Sequence, residues 1–195
     1  MTHESMISDH YTSGQLIDEI SSGIKRLGKT KKTVTIDDLG PVDEFHIGGR
    51  QASEEFLGQL NIKPDMNVLD IGCGLGGPAR FSVNRYGCKV RGIDLNEEFV
   101  EVGNTLSSWI GLEKQIELEQ ASAVKMPFND NSFDVAYMIQ VGMNIQDKTG
   151  LCKEAHRVIK GGGYFGIYDV MITGDSNLIS APLGRDNCLQ LCFKP

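Results

Sequence analysis

Residues 68–81 read VLDIGCGLGGPARF, and no other stretch constrains the fold as tightly. Val68-Leu69-Asp70-Ile71 is an apolar run of strand length. Gly72, Gly74 and Gly76 crowd the turn that follows, and Gly76 to Tyr86 has a helical pattern closed by Gly87. A strand feeding a glycine turn that opens a helix starts a βαβ unit, and the alternation then continues. Lys89–Asp94 reads as a strand, and Asn96 caps the helix after it. Ile116–Glu119 alternates apolar and polar residues, and Phe133–Val141 is an apolar run fit for a central strand. Lys148–Ile159 is helical, Gly161-Gly162-Gly163 breaks it, and Tyr164–Met171 is a last strand. The expected class is α/β, a Rossmann-like parallel sheet of five strands with flanking helices and right-handed crossovers.

The segment before this core has a different rhythm. Leu16, Ile17, Ile20, Ile24 and Leu27 share one helical face. Lys29–Gly49 reads as irregular, with Gly40-Pro41 and Gly48-Gly49 as breakers, and a second helix runs from Gln51 through Leu60 and stops before Pro64. The expected organisation is an N-terminal helical cap over 1–55, a core over 56–172 and a divergent tail over 173–195. Nineteen Lys and Arg against 26 Asp and Glu leave a net charge of −7, which disfavours nucleic acid as a partner. The basic cluster Lys25, Arg26, Lys29, Lys31 and Lys32 reads as a solvated helix end. With no membrane-length apolar run and no signal-like N-terminus, a cytoplasmic protein without a membrane role is expected. The five cysteines (Cys73, Cys88, Cys152, Cys188 and Cys192) form no CxxC pair, so no metal site is expected.

The glycine loop offers backbone N–H groups and a helix N-terminus to a ligand. Dinucleotide enzymes carry such a loop too, so the acids around it decide. Asp70 precedes the first glycine, where a carboxylate would repel a pyrophosphate but can pair with the ammonium of S-adenosylmethionine (SAM). Asp94 ends the next strand, 24 positions later, placed to accept hydrogen bonds from ribose hydroxyls. SAM, FAD and NAD all carry that ribose, so Asp94 indicates a nucleoside without naming it. A nicotinamide-dependent oxidoreductase is the less favoured alternative.

These motifs together resemble the class I SAM-dependent methyltransferases, and within them the small-molecule branch of glycine betaine-forming, ubiquinone and sterol enzymes. The family's first motif matches Asp70 to Gly77, and its ribose-binding acid matches Asp94 within GCKVRGIDL. Its LPF block matches Met126-Pro127-Phe128 preceded by Ser122-Ala123, its strand block matches FDVAYMIQVGMNI, and its RVLKPGG block matches RVIKGGG. Ser122 stands where many relatives have an adenine-binding Asp, and Gly161 replaces the usual Pro. The resemblance implies a SAM site made by Asp70, Gly72, Cys73, Gly74, Gly76, Asp94, Leu95, Ser122, Ala123 and Gln140. It also implies methyl transfer to N, O or C of a small-molecule acceptor.

Methyl transfer from a sulfonium needs mainly in-line positioning and exclusion of water, so the acceptor side is the less legible. Gln140, Met143 and Asn144 fall after the Phe133 strand, at the ligand-binding end of an open α/β sheet. Asn144 reads equally as an acceptor-orienting group or a turn cap, and Met143 as packing. PVDEFHIGGRQAS, residues 41 to 53, brings Asp43, Glu44, His46 and Arg50 together before the core. His46 is a candidate base or substrate contact as well as a structural histidine. Arg50 suits a carboxylate or a surface ion pair. The catalytic candidates are therefore His46, Asn144 and Gln140; His156 and Trp109 read as non-catalytic.

The family fold ends in an antiparallel hairpin, and only 24 residues follow Met171. The expectation is that this hairpin is missing, that the flank of the last strand is exposed, and that SAM binding survives better than turnover. The tail LGRDNCLQLCFKP departs from the family after Pro182. One set of codons for it, read one base later, encodes WAETIAYSFVLS, which resembles the family continuation. A frameshift, an alternative transcript and a true short variant all fit such an ending.

Overall fold

The computed structural model describes Glu4, residues 12–170 and the backbone of residues 188–193. Its helices are α1 (Leu16–Arg26), α2 (Ile36–Asp43), α3 (Gly49–Leu57), α4 (Gly77–Tyr86), α5 (Glu97–Trp109) and α6 (Lys148–Val158). Its strands are β1 (Asn67–Ile71), β2 (Lys89–Asp94), β3 (Ile116–Gln120), β4 (Phe133–Ile139), β5 (Ile159–Val170) and β6 (Cys188–Phe193). They form one sheet of order β3-β2-β1-β4-β5-β6, with β1 to β5 parallel. The chain builds outward from β1 on one side and then crosses to β4 on the other. That reversal opens a crevice beyond the C-terminal ends of β1 and β4.

Parallel strands covered on both faces need apolar side chains in both directions, hence the near-continuous runs in β1 and β4. Phe56, Leu60, Val68, Phe81, Val90, Leu118 and Tyr137 pack in one core cluster. Leu69, Ile71, Ile93, Met138, Leu151, Ala155 and Val158 form a second. Each Val, Leu, Ile, Phe or Met among them, once buried, contributes about 1.5–3 kcal/mol. A third cluster joins Ile20 and Ile24 of α1 to Leu39, Val102 and Leu106, which docks the N-terminal helices on α5.

Three expectations need correction. First, the stretch read as irregular contains α2. Thr35 Oγ1 accepts from the Asp38 N–H at 3.3 Å and Asp38 Oδ2 accepts from the Thr35 N–H at 2.9 Å, a capping box that starts a helix despite the rung lost at Pro41. Second, the triple glycine lies inside β5. The register jumps from Phe133↔Ile159 to Val135↔Tyr164, so the glycines form a bulge, and Gly163 lets the Asp134 carbonyl come close. Third, the flank of β5 is paired. β6 runs antiparallel to it from Val170↔Cys188 to Phe165↔Phe193, so a single antiparallel strand covers the flank expected to be exposed, and no second strand of a hairpin is seen among the described residues. The physical reason is the row of backbone donors and acceptors that β5 offers at its edge. The departure after Pro182 begins outside the described residues, and the side chains of Cys188 and Cys192 also lie outside them.

Candidate functional site

β1 delivers the chain to the glycine loop at the crevice. The N–H groups of Gly72 and Cys73 both donate to the Ile93 carbonyl, at 2.8 and 3.0 Å, and the Gly76 N–H donates to the Cys73 carbonyl at 2.8 Å. Gly72, Gly74 and Gly76 all have positive φ, at 73°, 51° and 79°. A side chain on Gly72 would drive into Val141, whereas one on Gly74 would meet nothing within 4 Å. Gly74 therefore faces open space.

Asp94 ties this loop to the end of β2. Its Oδ2 accepts from the Gly74 N–H and its Oδ1 from the Asn96 N–H, both at 2.9 Å. Burial raises its pKa, and those backbone amides pull the other way. Asp70 lies deeper, 2% exposed, and accepts the Tyr137 hydroxyl at 3.1 Å. Burial pushes the Asp70 carboxyl up to about 8; Tyr137 lowers it, while the nearby Asp94 and Glu44 charges raise it further. Burial likewise raises the Cys73 thiol, which sits inside the loop.

A short segment crosses from the glycine-loop side to the ends of β4 and β5. At one end Asp43 pairs with Arg80 of α4. At the other, the Ile47 N–H donates to Gln140 Oε1 at 3.1 Å and the Tyr168 hydroxyl donates to the Ile47 carbonyl at 3.2 Å. Between them, His46 Nε2 lies 2.9 Å from Glu44 Oε2 and 3.0 Å from Ser53 Oγ, with Nδ1 3.3 Å from the Ile47 carbonyl. Arg50 Nε is 2.8 Å from Glu44 Oε1, and hydrogen bonds from His46 and Ser53 bring the Glu44 pKa down against its burial. Both ring nitrogens of His46 thus face groups within this segment. Gln140 takes a left-handed backbone conformation (φ 51°), and its N–H donates to the Tyr168 carbonyl at 2.7 Å. Two buried donors in this region, Gln140 Nε2 and Arg50 Nη2, have no hydrogen-bond partner among the described residues.

After β4, a one-turn helix (Gly142–Asn144) carries Met143 and Asn144. Asp169, 5% exposed at the end of β5, accepts the Val170 N–H at 2.8 Å; burial raises its pKa, and the nearby backbone amides of Val170, Gly142 and Met143 pull the other way. Lys148 Nζ donates to the carbonyls of Gly142 and Ile145. Met143 and Phe45 stand 54% and 91% exposed. Beyond β3, the Ser122 hydroxyl donates to Glu4 Oε1 at 2.6 Å, Ala123 packs against the second core cluster, and the Leu95 carbonyl accepts from Gln120 Nε2 at 3.0 Å.

Asp70, the glycine loop, Asp94, Leu95, Ser122, Ala123 and Gln140 thus all sit at the C-terminal ends of β1 to β4. His46 reaches this edge through the Ile47 peptide and packs its ring edge-on against Tyr168, and Asn144 stands on the adjoining turn. Sequence reading passed over Arg80, Tyr137, Tyr168 and Asp169. The signal for Arg80 was a cation set among apolar residues in GGPARF; Asp169 carried the weaker signal of an acid closing an apolar run.

Residues 69–167 match the methyltransferase domain family. The chain belongs to this family. Among curated relatives of the methyltransferase domain, a sterol 24-C-methyltransferase of Gibberella zeae is 41% identical over 114 residues, 58% of this chain and 30% of the relative. Cycloartenol-C-24-methyltransferase 1 of Oryza sativa is 40% identical over 121 residues, 62% of this chain and 35% of the relative. The chain thus spans about a third of the length of the curated relatives it matches. Of solved structures, the YcgJ protein of Bacillus subtilis aligns with TM-score 0.58 and 27% identity over 61% of this chain and 50% of its own. Geranyl diphosphate C-methyltransferase of Streptomyces coelicolor, solved with Mg2+, geranyl diphosphate and S-adenosyl-L-homocysteine, has the same fold at TM-score 0.58 and 23% identity, over 60% of this chain and 44% of its own.

Proposed function

We propose that this chain binds SAM at the crevice and supports methyl transfer to a small-molecule acceptor. The observation that carries the reading is the joining of Asp70, the glycine loop and Asp94 into one site, with Asp94 hydrogen-bonded to the loop itself. The donor set fits the ligand. Asp70 would pair with the ammonium, Asp94 would accept from the ribose hydroxyls, and the open side of Gly74 admits close approach. The orphan donors Gln140 Nε2 and Arg50 Nη2 suit a carboxylate. SAM supplies an activated methyl group on a sulfonium. The residues here bind, orient and exclude water rather than form bonds. Leu95, Ser122 and Ala123 would line the base. His46 holds the segment over the crevice, and Asn144 stands where an acceptor would be oriented.

The acceptor side favours an apolar molecule. Phe45 and Met143 expose large apolar side chains on the two segments flanking the crevice, and the sterol and cycloartenol methyltransferases point the same way. A cytoplasmic site of action belongs to this reading and rests on composition.

Incubation with methyl-labelled SAM and a panel of sterols and small polar amines tests the proposal. Label should enter a sterol-type acceptor; binding of NAD with no label transfer to any acceptor would count against it. Asp94→Asn keeps the shape but replaces a charged acceptor worth about 1.5–3 kcal/mol per bond. Calorimetry should then record S-adenosylhomocysteine binding weakened about tenfold or more. Unchanged affinity would remove Asp94 from the ribose site.

A further inference from the structure

Arg80 heads the fully buried side chains by size among the described residues, and the proposed chemistry leaves it without a task. All three nitrogens of its guanidinium donate hydrogen bonds. Nε donates to Asp43 Oδ2 at 3.0 Å and Nη2 to Asp43 Oδ1, while Nη1 donates to the Gly103 carbonyl and to Ser107 Oγ, each at 3.1 Å. Both side chains of the pair are 0% exposed. Arg80 lies one turn into the helix that follows the glycine loop, and its N–H donates to the Gly76 carbonyl at 2.9 Å. Gly103 and Ser107 belong to α5, the helix after Asp94. Asp43 closes α2. One guanidinium therefore joins the glycine-loop helix, the helix after the ribose-side acid and the segment leading over the crevice.

A second contact reinforces the same joint. A side chain on Gly77 would stand 2.0 Å from the Asp43 carbonyl oxygen, so the end of α2 rests directly on the first turn of α4. Four residues after Asp43, Ile47 is gripped by Gln140 and Tyr168. Residues 43–47 are therefore pinned at both ends across the crevice.

We infer that the Asp43–Arg80 pair is a positioning device that sets residues 43–47 against the glycine loop and so governs how long a ligand stays in the crevice. The inference rests on the SAM-site reading. A buried ion pair is a poor source of stability, because desolvation offsets its attraction, but it fixes register where an apolar contact would slide. Arg suits this task, since its planar fork holds one carboxylate geometry while its remaining donors reach α5.

Two variants separate positioning from plain stabilisation. Asp43→Asn removes one charge at constant size. The double replacement Asp43→Leu/Arg80→Met removes both and fills the space with apolar groups, an exchange that commonly keeps or restores stability. Stopped-flow release of S-adenosylhomocysteine and hydrogen exchange of residues 43–53 are the readouts, with Tm alongside. Asp43→Asn should release the ligand about tenfold faster and lose protection over 43–53, with β1 and β4 unchanged. The double variant should recover Tm and still release the ligand fast. If release and protection instead follow Tm in both variants, the pair is only structural and the inference fails. Should Asp43→Asn not fold, the double variant against the unmodified chain carries the same comparison. If the unmodified chain binds no S-adenosylhomocysteine, the SAM reading fails, and exchange over 43–53 without ligand alone decides whether the pair holds this segment.

Discussion

Gly74→Ala is expected to leave the protein folded and to abolish S-adenosylhomocysteine binding, whereas Gly72→Ala should lose both fold and ligand. The two glycines differ in what surrounds them. A methyl on Gly72 would stand 2.3 Å from Val141 Cγ2 and 2.7 Å from its Cβ, with no flexible side-chain end to yield. Its φ of 73° adds strain. The left-handed backbone costs about 1–2 kcal/mol for a non-glycine residue, and overpacking adds about 1–3 kcal/mol. On the scale of a domain's total stability that is a large loss. Gly74 has φ 51° and no neighbour within 4 Å of a Cβ, so only the backbone strain applies. Its open side is where the ligand must approach the loop, so an added methyl should cost at least about a hundredfold in affinity, equivalent to about 2.8 kcal/mol. Tm and calorimetry on both variants check this. A Gly74→Ala protein that binds normally would mean the ligand does not lie against the loop.

Binding of S-adenosylhomocysteine should release a proton near pH 7 and tighten as the pH rises towards 8. Asp70 carries the effect, because burial pushes its pKa in the folded protein up to about 8. An unfolded Asp titrates near 3.9. Below that value both states hold the proton and the contribution to stability is fully present. Between about pH 4 and 8 only the unfolded chain has released it, so stability falls as pH rises, by at most about 1.4 kcal/mol per pH unit. Asp43, Asp94 and Asp169 are raised by burial and act in the same direction, while Glu44 and Asp134 are lowered and oppose it. An ammonium docked on Asp70 favours its ionised form, so binding displaces the proton. The calorimetric enthalpy at pH 7 should therefore differ between buffers of different ionisation heat, and Asp70→Asn should remove most of that difference. An enthalpy independent of buffer would take Asp70 out of the ammonium site.

The parallel core was legible because its signals are local and periodic: apolar strand runs, glycine stops, and Asn96 placed to cap α5. The elements misread depended on competition between signals. Gly40-Pro41 spoke for a loop, yet the Thr35–Asp38 capping box and burial of Leu39 in the third core cluster outweighed it. The triple glycine reads as a break by propensity, but pairing with β4 absorbs it as a bulge. β6 escaped notice because so few residues remained after Met171, although a short strand needs little chain. Around the crevice, the spacing of Asp70, the glycines and Asp94 could be read because one strand–turn–helix unit and the next strand end supply all of it. The contacts of His46 could not be read. They depend on Glu44 and Ser53 folding back within one segment, and on Tyr168 arriving from β5, 121 residues away from Ile47. Arg80 and Asp43 form a long-range pair of the same kind, 37 residues apart, which no periodicity announces.

Titration of the unmodified chain with S-adenosylhomocysteine and, in parallel, with NAD decides whether the crevice is a SAM site. S-adenosylhomocysteine should bind saturably and more weakly in Asp94→Asn, and NAD should not bind. Saturable binding of NAD with none of S-adenosylhomocysteine would contradict the SAM reading.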